Sequence, residues 1–64
     1  MPKFPDVTVQ LVGEDGNAFA MLGAVSNALR RAGHADEVKE FMAEATSRDY
    51  DHLLATAMAY VNVE

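Results

Sequence analysis

The chain has 64 residues, half of them hydrophobic, no cysteine, and a net charge of −5. A chain this short buries only about 60% of the surface its unfolded form exposes, so small folds lean on disulfides, metals or partner chains. Disulfides and the common zinc frameworks are excluded here, and no stretch approaches the run of about 20 apolar residues that spans a membrane.

The charge is placed unevenly. Lys3, Arg30 and Arg31 balance Asp6, Glu14 and Asp15, whereas Lys39 and Arg48 face Asp36, Glu37, Glu40, Glu44, Asp49, Asp51 and Glu64. Such a surface repels polyphosphates and anionic membranes. Oligomerisation is therefore the expected source of extra burial, with a homodimer the simplest form.

The opening MPKFP, with two prolines, predicts an extended lead-in, and it has no apolar core of the length a secretory signal needs. Val7 to Val12 alternates Val7, Val9 and Leu11 with Thr8, Gln10 and Val12, the pattern of a strand with one buried face. Gly13 to Gly16 reads as a turn.

A helix follows. Asn17 is an N-cap candidate, and Ala18, Leu22, Val25, Leu29 and Ala32 recur at helical spacing. Arg30 and Arg31 suit the negative end of its dipole, and Gly33 suits a left-handed C′ position. The other faces carry Phe19, Ala20, Met21, Gly23, Ala24 and Ala28, with Ser26 and Asn27 the only polar side chains between Ala18 and Leu29. A helix apolar nearly all round is buried nearly all round. Phe19, Ala20, Gly23, Ala24 and Asn27 are thus the candidate oligomer interface.

RAGHAD is short enough to link an αα-hairpin. Asp36 is the expected cap of the second helix, whose inner face is Val38, Phe41, Met42 and Ala45. Glu37, Glu40 and Glu44 line another face, compensated only by Lys39, and form a candidate acidic surface for a protein partner. Asp49 is expected to cap a third helix with Leu53, Leu54, Ala57, Met58 and Val61 at helical spacing. From about Tyr60 the pattern alternates, consistent with a short C-terminal strand pairing with the first. The expected fold is α+β, mostly helical, in a single domain over 1–64.

Three stretches, LVGEDGNAFAMLGAVSNALRRAG, EVKEFMAEATSRDYDHLL and YVNVE, resemble a family of small, functionally uncharacterised bacterial and bacteriophage proteins. The family motifs look like G-x-D-G-N-A-F and S-G-D-Y-D-H-L-L, and the likeness runs over residues 11 to 64. At Arg48 the chain departs from the motif's glycine, which argues against a tight left-handed turn there. The resemblance implies a phage or mobile-element setting in a host cytoplasm and no activity.

Catalytic and ligand motifs find little support. Gly13 and Gly16 before a helix outline a phosphate cradle, but Glu14 and Asp15 would repel phosphate and no P-loop lysine follows. Two acids are too few for a calcium loop. Asp49, Asp51 and His52 fall within one turn without a nucleophile, and His34 lies far off, so neither enzyme, metal nor cofactor is expected. A strand followed by two helices also fits a ribbon-helix-helix DNA-binding dimer with Thr8 and Gln10 as readers. The missing basic footprint makes nucleic acid a weaker expectation than a host or phage protein partner.

Overall fold

The computed structural model describes residues 1–10 and 18–64. In chain order the elements are β1 (Phe4–Val9), α1 (Ala18–Arg31), α2 (Ala35–Ala45), α3 (Tyr50–Tyr60) and β2 (Val61–Val63). The fold is α+β and mostly helical, and the two strands pair as expected, in parallel. Leu11, Val12, the Gly13–Gly16 turn and the Asn17 cap lie outside the described residues.

The first strand begins three residues earlier than its alternation predicts, and its partner explains why. Phe4 opposes Val61, Thr8 opposes Asn62 and Val9 opposes Val63, with an irregularity between Phe4 and Thr8. Pro5 has no amide to give a ladder, so it is tolerated where the pairing is interrupted. There the Asn62 side chain donates to the Pro5 carbonyl at 2.6 Å. Val7 and Val9 turn inward and are buried, while Thr8 and Gln10 stay exposed, so the predicted alternation of faces holds.

α1 ends on a Schellman motif. Gly33 has φ +87, the His34 amide reaches the Leu29 carbonyl at 2.8 Å, and the Gly33 amide reaches that of Arg30 at 3.1 Å. The chain passes directly into α2, which alters the cap expected there. His34, not Asp36, occupies the cap position, with no side-chain cap bond, and Asp36 sits in the first turn beside Glu37. The His34 carbonyl accepts the Glu37 amide at 2.9 Å. α1 and α2 form the predicted hairpin.

Between α2 and α3 the side chains of Thr46 and Ser47 close the turn, bonding the carbonyls of Met42 and Glu44 at 2.7 Å each. Arg48 is not left-handed; Gly33 alone has positive φ among the described residues. Asp49 caps α3 as predicted, its carboxylate accepting the His52 amide at 2.9 Å.

The core gathers Val7 and Val9 of β1, Met21, Leu22, Val25, Ala28 and Leu29 of α1, Val38, Phe41 and Ala45 of α2, and Leu53, Ala57, Tyr60 and Val61. Phe41 is fully buried and meets the Tyr60 ring edge-on at 5.3 Å. Two expectations are corrected. Met21 and Ala28 are buried within the single chain, without a partner, whereas Ala32 is exposed. The inner stripe of α3 is Leu53, Thr56, Ala57 and Tyr60, with Met58 exposed. Thr56 enters the core because its hydroxyl bonds back to the His52 carbonyl at 2.8 Å and so is not left unpaired. Val61 belongs to β2, where the helix has already ended.

Candidate functional site

The outward face of α1 is a ridge between two grooves. Phe19, Gly23 and Asn27, four residues apart in turn, are exposed, and Ala20 and Ala24 beside them are half-buried. These are the five residues the sequence marks as an interface. On one side, toward α2, an apolar groove of about 420 Å³ is lined by Phe19, Leu22, Gly23, Ser26, Arg30, Met42 and Thr46. On the other, Thr8, Val9, Gln10, Ala24, Asn27 and Arg31 line a more polar groove of about 490 Å³ between β1 and α1. A third hollow of about 260 Å³, shared by Ala18, Phe19, Ala45, Tyr50 and Leu53, meets the first at Phe19.

Phe19 is 86% exposed at the junction of two apolar grooves. A scattered surface apolar residue is ordinary; a phenyl ring beside continuous apolar hollows is the pattern of a binding anchor. Gly23 lies one turn further along. A Cβ added there would meet no described residue within 4 Å beyond its own helix, so the described packing does not require a glycine.

The acidic face is built differently from its sequence pattern. Glu37, Glu40 and Glu44 are compensated from distant elements and not by Lys39. Lys3 Nζ lies 2.8 Å from Glu37 and 3.5 Å from Glu40. Tyr60 donates its hydroxyl to Glu40 at 3.2 Å, and His52 Nε2 lies 2.8 Å from Glu44 Oε2. Each of the three carboxylates therefore ties α2 to another part of the chain, Glu37 to the residue before β1 and Glu40 and Glu44 to α3. The hydrogen bond to Glu37 raises the Lys3 ammonium above its usual range, and burial, helped by the bond to Glu40, raises the Tyr60 hydroxyl. Sequence spacing missed these partners because Lys3 is 34 residues from Glu37.

The histidines are separated by role. His34 stacks on Phe4, ring centres 4.2 Å apart at 26°, with Nε2 3.9 Å from Asp6. The ring of His52 turns to Glu44, while its backbone amide goes to the Asp49 cap. Asp49, Asp51 and His52 thus do not converge as an acid–base group. Among the described residues no three of His, Asp and Glu gather as a metal site, and no helix is long and apolar enough to cross a membrane.

Thr8 and Gln10 face outward, the placement a ribbon reader requires. However, β1 pairs in parallel with β2 of its own chain, whereas a ribbon dimer pairs two such strands. No protein-family model matches this chain, and no curated protein or solved structure is similar to it.

Proposed function

We propose that this chain is a non-enzymatic accessory protein of a phage or mobile element that forms a homodimer through α1 and binds another protein in the host cytoplasm. One observation carries the reading: Phe19, 86% exposed, stands where two apolar grooves join, on a ridge of small residues that lets a second helix approach closely. A mid-helix glycine costs about 1 kcal/mol relative to alanine. With no described residue beyond its own helix within 4 Å of a Cβ at Gly23, close approach of another chain is the compensation that fits. The motif likeness supplies the phage setting.

Sedimentation of wild type, Gly23→Leu and Phe19→Ser at micromolar concentration tests self-association. Wild type is expected as a dimer and both variants as monomers with unchanged helical circular dichroism. A wild-type monomer sinks this mode. Capture from host lysate tests the second clause: Phe19→Ser should lose a partner that the wild type retains.

A further inference from the structure

Two carboxylates of α2 and two aromatic rings from opposite ends of the chain meet around one ammonium. Lys3 Nζ lies 2.8 Å from Glu37 Oε1 and 3.5 Å from Glu40 Oε1. It stands 5.4 Å from the centre of the Tyr60 ring and 5.7 Å from that of Phe4. Ring faces attract a cation through their quadrupole, and carboxylates add charge and hydrogen-bond acceptors. An ordinary surface ion pair needs two side chains; this corner commits five.

The walls are held independently of their occupant. Tyr60 is buried, meets Phe41 edge-on, and donates to Glu40 at 3.2 Å. Phe4 is stacked on His34. Glu37 and Glu40 are one turn apart on a helix whose inner face is fixed by Phe41 and Val38. Lys3 is the loose part: its side chain is 47% exposed, and its stem has freely rotating bonds. Its backbone is anchored separately, the amide donating to the Ala59 carbonyl at 2.7 Å. The ammonium can therefore leave by side-chain rotation, without unpairing β1.

We propose that the corner formed by Phe4, Glu37, Glu40 and Tyr60 is a receptor for a primary alkylammonium, filled in the free protein by Lys3 and taken by a partner's lysine when Lys3 turns out. The short bond to Glu37 needs an N–H donor, so a primary ammonium fits better than a quaternary one. Lys3 competes from within the chain at high effective concentration, which weakens any outside amine in the wild type. Glu40, with a side chain 68% exposed, leaves the corner open to an approaching group.

The test titrates n-butylammonium chloride into wild type and Lys3→Ala, with sodium chloride holding ionic strength constant. Phe4 and Tyr60 ring resonances report occupancy. The expected result is saturable shifts in Lys3→Ala and a thermal midpoint that recovers toward wild type. The wild type should bind at least about tenfold more weakly, because its own lysine competes. Adding Glu37→Gln to Lys3→Ala should abolish the shifts, and tetramethylammonium should bind less well than the primary amine. Lys3→Met, which keeps an apolar stem over the rings, serves in the same titration if the alanine variant fails to fold. Unsaturable shifts, or equal binding by wild type and variant, overturn the proposal. Tighter binding of putrescine than of n-butylammonium overturns the assignment to a protein lysine in favour of a free polyamine.

Discussion

The carboxylate of Asp49 accepts the backbone amide of His52 at 2.9 Å, closing the first turn of α3. Asp36 occupies a similar sequence context, yet it lies inside the first turn of α2, where His34 holds the cap position. The two aspartates should therefore respond differently to the same substitution. Asp49→Ala is expected to cost roughly 0.5–2 kcal/mol, the usual loss of an N-cap. Asp36→Ala should stay within about 0.5 kcal/mol, since it loses a dipole interaction and gains helix propensity. Urea unfolding of both variants checks the contrast. Equal losses would mean that α2 is capped by Asp36 in solution.

Phe41→Ala should be the most damaging single change in α2. The side chain is fully buried, and its removal also takes away the edge contact with Tyr60. Truncating a buried phenylalanine costs about 3–5 kcal/mol. That is comparable with the whole stability of a chain this size at about 0.05–0.15 kcal/mol per residue. Loss of a cooperative thermal transition is the expected outcome, and a melt like that of the wild type would refute the packing described.

Replacing Glu37, Glu40 and Glu44 together with glutamine tests whether the acidic face is a free surface or an internal fastening. Its partners are Lys3, just before β1, and Tyr60 and His52, both on α3. A free stripe would hold its stability or gain slightly from relieved repulsion. The contacts observed predict instead a small fall in the urea midpoint, greatest at low salt and reduced by screening. A midpoint that rises at low salt would show that repulsion outweighs these contacts.

The alkaline limb of stability follows from the same corner. Lys3 is raised from 10.5 by its bond to Glu37, and Tyr60 is raised from 10.0 by burial and its bond to Glu40. Both groups keep their protons longer in the folded chain, so the unfolded chain releases protons first as pH rises. Their contribution is fully present below about pH 10 and is lost as pH passes through the raised values. Urea midpoints measured from pH 8.5 to 11.5 should therefore fall above about 10. Tyr60→Phe should flatten part of that fall. An unchanged slope in that variant would remove Tyr60 from the account.

Local chemistry made some of this architecture legible. Asp49 and Gly33 act on amides and carbonyls within a turn of themselves, so their roles could be read from neighbours alone. The inner faces of α1 and α2 followed from spacing. The register of β1 could not, because it depends on Asn62 reaching Pro5 across nearly the whole chain. The α2 cap escaped because Gly33 delivers the chain into the helix with His34 already in place, leaving Asp36 too late. Thr56 carries no apolar signal on α3, yet it is buried because its hydroxyl is satisfied within its own helix. At the candidate surface, spacing identified the outward row of α1 but overstated it: Met21 and Ala28 find cover inside one chain. The partners of the acidic row were hidden for the opposite reason, since no periodicity links residue 3 with residues 37 and 40.

The parallel sense of the two strands bears on how the chain could be re-engineered. Lys3 is held beside Ala59 at one end of the pair, and the Glu64 amide bonds the Val9 carbonyl at the other, 2.9 Å away. Lys3 therefore enters the sheet at one end and Glu64 leaves it at the other. A circular permutant could not join them with a tight hairpin. Its linker would have to travel back along the sheet, as any connection between parallel strands must.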